Sequence, residues 1–430
     1  MQNLLSLLSS LCLAYGVYRL RSSLALPAAL AISGFLGSSQ IVIYDTSALS
    51  DSLYTSAIIF AFAFLLLAFA RRKPLYFGLA SGAMASAILV RPSGMFFMVI
   101  YALVLAYLLW NRYERNAVVA LALPLPIILL LLCVYNYMTL KQFVISPWGD
   151  VNIADATILY WEPDNKFDSD INAVLAELPE VLSEKVGFTS EDRHTLYTSW
   201  NLPRLEILFG RGYSASLGKF TGFVNFLEGK SFSENSLLSN SAVREISFLA
   251  IKKHPEIYLK FIMANEWGYF GSIDYHYDLY ADMIQEANRY HLADEYADSV
   301  PPGAVQIVRT GTEARIVLAD TPLKRLHETW QVFHWAVFQH VFWVWAYFVV
   351  LVLSFLQLAR FRGRHLGAFI LFVLTLGVLG ENLVTCLVEI GLERYAYPTQ
   401  FIYYLSVALI PLLWMGGRNA IITIRSENAE

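Results

Sequence analysis

Charge is scarce in this chain: Asp, Glu, Lys and Arg together make up 15% of its 430 residues, while hydrophobic residues make up 57%. Soluble domains carry roughly 25% charged and 45–50% apolar residues, so this is not the composition of a water-soluble globule. Cysteine is nearly missing. Cys12, Cys133 and Cys386 all lie in apolar runs, which leaves no disulfide framework and no Cys-based metal site to read. There is no Asn-x-Ser/Thr sequon, a pointer away from a eukaryotic secretory lumen. Neither a Gly-x-Ser-x-Gly elbow, a phosphate-cradling glycine loop nor a dinucleotide fingerprint occurs, so a soluble nucleotide donor is not indicated. His334 and His340 are six residues apart rather than four, so no metal site is assigned; a need for a divalent ion stays open. Internal repeats and low-complexity tracts are absent as well.

The charge that exists is concentrated. Between Thr139 and Thr329 lie 27 of the 35 acidic residues and 17 of the 31 basic ones, a net of −10, and the remainder carries +6. No basic patch for nucleic acid follows. Outside that stretch the chain offers nine apolar runs near 2–19, 24–44, 54–70, 74–90, 94–110, 116–137, 330–358, 366–389 and 400–416. Each approaches the roughly 20 residues that cross a hydrocarbon core about 30 Å thick. The first lacks a basic start and is read as a retained span rather than a signal peptide.

Orientation follows from the basic residues of the short connections. Arg19, Arg21, Arg71, Arg72, Lys73, Arg112, Arg115, Arg360, Arg362, Arg364, Arg418 and Arg425 fall on one side, and only Arg91 and Arg394 on the other. The expectation is a mainly α, polytopic bundle of about nine spans. Residues 1–138 form a six-span half, 139–329 a mostly helical extracytoplasmic segment, 330–416 a three-span part and 417–430 a cytoplasmic tail. In the outer segment, Ile171 to Val186 and Asp278 to Asp298 have helical periodicity. Ala242 to Phe270 is a helical pattern broken at His254-Pro255. Pro301-Pro302-Gly303 marks a loop, and Asp320-Thr321-Pro322 a helix start with proline at the first helical position.

The two outer arginines break the asymmetry that the other basic residues obey. A guanidinium at headgroup depth suits a phosphate, and snorkelling to ordinary lipid, or for Arg394 pairing with Glu389 or Glu393, is the plainer alternative. Asp45 and Asp51, in the turn before the third span, can serve as a general base, bind a divalent ion or hold an arginine. Helix capping is the simpler reading for Asp51. Glu381 and Asn382 fall inside the eighth span, where a carboxylate costs roughly 2.5–3.5 kcal/mol; Glu381 is expected to face the bundle and be satisfied by a neighbouring hydroxyl or indole. The Asp274-Tyr275-His276-Tyr277-Asp278 run is read as merely polar.

Several stretches are similar to the C-type glycosyltransferases, multi-span enzymes that use polyprenyl-phosphate-linked sugars and include protein O-mannosyltransferases and aminoarabinose transferases of lipid A. The turn from Asp45 to Leu53 resembles that family's outer acidic turn. Gly78-Leu79-Ala80 followed by Ile88-Leu89-Val90-Arg91-Pro92 resembles its helix end, and Glu393-Arg394-Tyr395 with Pro398 resembles the start of a late span. Ala242 to Tyr258, with Ile251-Lys252-Lys253-His254-Pro255, is similar to an amphipathic segment of many bacterial members.

The resemblance implies a multi-pass protein of the bacterial inner membrane. It would move a sugar, with inversion, from polyprenyl phosphate to a glycan, lipid or protein acceptor on the outer face. Asp45 and Asp51 would be the catalytic carboxylates, and Arg91, Arg394, Tyr395 and Glu393 would bind the lipid phosphate. The family's first span and first outer loop, which carry its principal acidic residues, have no counterpart here; the expectations are that this piece lies upstream of Met1, that the activity has been lost, or that Asp45 and Asp51 have taken over its role. The competing expectations are a polysaccharide or lipid transporter, and a glycan polymerase or ligase of the O-antigen type.

Overall fold

The computed structural model describes residues 2–36, 50–141, 143–146, 153–154, 156–214, 241–271, 305–310, 313–318, 322–338, 341–388 and 397–414. Within these residues the chain is mainly helical. Its membrane half contains α1 (Gln2–Leu20), α2 (Ala25–Leu36), α3 (Ser50–Arg71), α4 (Pro74–Val90), α5 (Phe96–Trp110), α6 (Arg115–Ala122) and α7 (Pro124–Leu140). The polar segment supplies α8 (Ser169–Val186), α9 (Ser190–Thr198), α10 (Leu202–Ser214), α11 (Ser241–Lys253), α12 (Pro255–Gly271) and the strands β1 (Val305–Thr310) and β2 (Glu313–Leu318). The chain closes with α13 (Pro322–Phe338), α14 (Phe342–Arg360), α15 (Leu366–Val388) and α16 (Gln400–Ala408).

Six helical stretches are long and apolar enough to cross a membrane: Gln2–Leu20, Ser50–Arg71, Pro92–Trp110, Arg115–Thr139, Val332–Arg360, which takes in the end of α13, α14 and two residues outside the described ones, and Leu366–Leu387. The expected run at 74–90 is a helix of those bounds but shorter than the six, and those at 24–44 and 400–416 are shorter than expected where described. Pro74–Val90 is a 17-residue helix and α2 has 12 residues, with the rest of 24–44 outside the described residues. The last run breaks at Leu409 into α16 and a 3-10 turn, Ile410–Trp414. Pro411 explains the break, having no N–H for the helical ladder and a ring that crowds the preceding turn. Pro124 divides the 115–140 stretch in the same way, α6 ending at Ala122 and α7 starting at Pro124.

α3 is the axis of the bundle, buried along most of its length. α1 lies against it through a face of small residues: a Cβ on Gly16 would sit 3.1 Å from the Ala63 carbonyl oxygen, and the Ser6 and Ser56 hydroxyls are 3.4 Å apart. Small residues let membrane helices approach closely enough for dispersion contacts to hold them. At the far end Phe69 is met edge-on by Phe77, Tyr107 and Phe369, with ring centroids 5.8, 5.8 and 5.9 Å away. The outward faces of α1, α7 and α14 expose Leu4, Leu11, Leu131, Phe355 and Leu356. Such a surface is costly in water and suits hydrocarbon.

The polar segment has its own core, including Leu175, Leu182, Leu205, Phe209 and Phe261. α8 starts where Asp168 accepts the Ile171 N–H at 2.8 Å and stops at Gly187, whose φ of +64° suits glycine. Thr189 and Asp192 form a capping box that opens α9. The Lys260 ammonium closes that helix, donating to the Leu196 and Tyr197 carbonyls at 3.1 and 2.7 Å. As the sequence indicates, α11 ends at Lys253 and α12 begins at Pro255, and α13 begins at Pro322. The runs at 278–298 and 301–303 lie outside the described residues. An antiparallel hairpin, Val305 opposite Leu318 and Thr310 opposite Glu313, adds two strands to a segment expected to be mostly helical. Its Val-, Ile- and Thr-bearing runs flank Gly311-Thr312, a pattern suited to strands joined by a short turn.

α12 joins the two cores. Its Tyr258 hydroxyl donates to the Leu387 carbonyl of α15, and its Phe270 ring lies 5.1 Å from Phe348 of α14. This contact brings a helix of the polar segment to the end of α15 that carries Glu381.

Candidate functional site

The site begins with a turn. Arg91 precedes proline and is therefore extended, with φ −145° and ψ 133°, which ends α4. Pro92–Met95 then forms a 3-10 turn closed by the Gly94 N–H on the Arg91 carbonyl at 2.9 Å. A Cβ on Gly94 would lie 2.9 Å from the backbone of Ala87 and Ile88, so only glycine allows this tight return. Gly94→Ala is expected to lower stability by about 1–3 kcal/mol through overpacking against backbone, read as an earlier thermal transition in detergent.

The rigid turn aims Arg91 at α3. Its Nη1 donates to Asp51 Oδ1, and the two side chains are 12% and 5% exposed. Asp51 lies within the first turn of α3, where the helix dipole favours a negative charge. Its carboxylate meets Arg91, beyond the simple capping role that the sequence suggests. Tyr54, one turn along, places its ring 5.7 Å from the guanidinium carbon. The Ser93 hydroxyl donates to the Tyr54 oxygen at 3.2 Å, and Tyr54 in turn reaches the Glu381 carboxylate. Thr399, the residue before α16, donates to Glu381 Oε2 at 2.8 Å. Glu381 is thus buried and served by hydroxyls, as expected. One connected polar network ties the ends of α3, α4, α15 and α16 together.

Beside this network lie buried polar atoms with no partner among the described residues: both amide atoms of Asn382, the Thr385 and Tyr403 hydroxyls, and Glu266 Oε2. Tyr403 and Cys386 are within electrostatic range of both Glu266 and Glu381. Tyr403 packs edge-on to Tyr347, centroids 5.1 Å apart. Burial pushes the Glu266 carboxyl from the ordinary 4.5 up to about 7. Since the folded state then holds a proton that the unfolded state releases, stability falls as pH rises from about 4.5 to about 7 and is flat above. The loss is at most about 3 kcal/mol. Thermal melts across that window are expected to show the slope, and Glu266→Gln to flatten it.

Asp45, Glu389, Glu393, Arg394 and Tyr395 lie outside the described residues, as do His276 and His340. Of the expected site residues, Arg91 and Asp51 come together. Tyr54, Ser93, Thr399 and Glu266 are additions that the sequence reading did not single out. His334 donates through Nε2 to the Gly34 carbonyl at 2.7 Å, a structural contact between α13 and α2. No group of three or more His, Cys, Asp and Glu is placed to hold a metal ion among the described residues.

What the arrangement offers chemically is a fixed guanidinium with a buried counter-charge, next to buried hydroxyl and amide groups. Comparison of the chain with protein-family models, with curated proteins and with solved structures finds no match.

Proposed function

We propose that the chain is a membrane glycosyltransferase that takes a sugar from a polyprenyl-phosphate donor and passes it to a hydroxyl on the outer face of a bacterial cytoplasmic membrane. The observation that carries this reading is the Arg91–Asp51 pair, buried beside Tyr54 and Glu381 at one end of the bundle. The basic side of the topology supports the placement: Arg72, Arg112 and Arg364 gather around one cavity at the other end of α3. In this reading all nine apolar runs are inserted, the short ones as partial or tilted elements, and the 139–329 segment is extracytoplasmic.

The acceptor oxygen attacks the anomeric carbon, the bond from that carbon to the phosphate oxygen breaks, and polyprenyl phosphate leaves with the electron pair. Negative charge grows on the leaving phosphate. Arg91 is placed to stabilise it, because five N–H donors let one guanidinium serve a carboxylate and a phosphate together. Asp51 positions that guanidinium. Asp45 remains the candidate base that takes the acceptor proton, with Arg394, Glu393 and Tyr395 completing the phosphate side.

The test uses proteoliposomes of the purified chain with polyprenyl-phosphate mannose, glucose or aminoarabinose and an extract of envelope acceptors, following released polyprenyl phosphate by mass spectrometry. Release that depends on acceptor is the expected result. Release of polyprenyl diphosphate from a diphosphate-linked donor alone identifies a polymerase or ligase instead, and no release from any donor contradicts the proposal.

A further inference from the structure

About 31 Å along α3 from Asp51, at 1.5 Å per residue, three turns enclose a cavity of about 320 Å³. Each turn contributes one guanidinium: Arg72 between α3 and α4, Arg112 between α5 and α6, and Arg364 between α14 and α15. Arg72 and Arg112 are left-handed, with φ of 55° and 53°. Non-glycine residues adopt that conformation sparingly. Backbone bonds hold it here, from the Arg72 N–H to the Ala68 carbonyl at 2.8 Å and from the Arg112 N–H to the Leu109 carbonyl at 3.2 Å. The Arg72 guanidinium carbon also stands 5.5 Å over the Tyr113 ring.

The charges around this space do not cancel. Glu114 is the one carboxylate among the lining residues, and none of the three arginines forms an ion pair with a described residue. The first residues of α6 and α15 border the same space, and helix N-termini add partial positive charge. Guanidinium groups in a cleft match the geometry and charge of a phosphate. Close by, Leu109 and Trp110 are 61% and 67% exposed, an apolar edge of the kind found where helices meet the headgroup layer.

We propose that this cavity binds a phosphate group at the basic face of the membrane, carried by the headgroup of an anionic lipid or by a free phosphate. The site is separate from the Arg91 end and does not depend on the sugar-transfer reading.

The experiment titrates the detergent-purified chain with dioctanoyl phosphatidic acid, dioctanoylglycerol and inorganic phosphate, reading thermal shift and calorimetric affinity. Phosphatidic acid is expected to bind saturably and dioctanoylglycerol not to bind. Arg112→Gln with Arg364→Gln should weaken binding at least roughly tenfold, since two charge-assisted contacts are lost. Glu114→Gln should tighten it. All three side chains belong to exposed residues, so these variants keep the fold, and the opposite sign expected for Glu114→Gln separates binding from damage. Competition by inorganic phosphate assigns a free phosphate as sufficient, and its failure assigns the lipid headgroup. Equal effects of phosphatidic acid and dioctanoylglycerol, or unchanged affinity in the arginine and Glu114→Gln variants, overturns the proposal.

Discussion

Replacing Arg91 with alanine is expected to lower sugar transfer from a polyprenyl-phosphate donor by about 10²–10³-fold, the range for removing one preorganised donor to a developing negative charge. The loss should fall on turnover more than on apparent donor affinity, since the leaving phosphate carries more charge in the transition state than in the donor. Arg91→Lys should recover little. An ammonium keeps the charge but loses the planar fork that can face Asp51 and a phosphate at once. Initial rates in proteoliposomes, with expression and melting temperature matched, measure this. Rates within twofold of the unsubstituted chain in both variants would remove Arg91 from the proposed chemistry.

Asp51→Ala is expected to cost the fold about 3–5 kcal/mol, because it breaks a buried ion pair by removing the carboxylate to which the Arg91 guanidinium donates. Removing both partners, as Asp51→Ala with Arg91→Met, should restore much of that stability, since an apolar pair of similar volume replaces a desolvated ion pair. Melting of the two single variants and the double variant in one detergent closes the cycle. Additive losses would mean that the pair is not coupled.

The two ends of the Arg91–Asp51 contact are individually legible in the sequence. Arg91 stands out because it violates the basic asymmetry, and Asp51 because so few carboxylates lie outside the polar segment. That they touch is not legible, since it depends on how α3 and α4 pack and on the turn that Pro92 and Gly94 impose. The proline-marked helix starts at Pro255 and Pro322 and the apolar runs at 2–19, 54–70, 94–110 and 366–389 follow from local properties, a missing N–H and hydropathy, and each appears as a helix, whereas the runs at 116–137 and 330–358 are each divided between two helices. The run at 400–416 was harder to read: its hydropathy suits a span, yet Pro411 follows its break at Leu409. Glu266 is not legible, because nothing near it in sequence signals that α12 docks on α15 through Tyr258 and on α14 through Phe270. The hairpin at Val305–Leu318 had a local signal in its alternation, masked by the helical periodicity assigned to the surrounding segment.

The most direct measurement is the affinity of the product, polyprenyl phosphate, for the chain in nanodiscs, made in an Arg112→Gln, Arg364→Gln background so that the opposite face does not contribute. The expected result is saturable binding that weakens at least roughly tenfold when Arg91→Ala is added, as for loss of a charge-assisted contact. Unchanged affinity in the Arg91→Ala variant contradicts the assignment of Arg91 to the lipid phosphate.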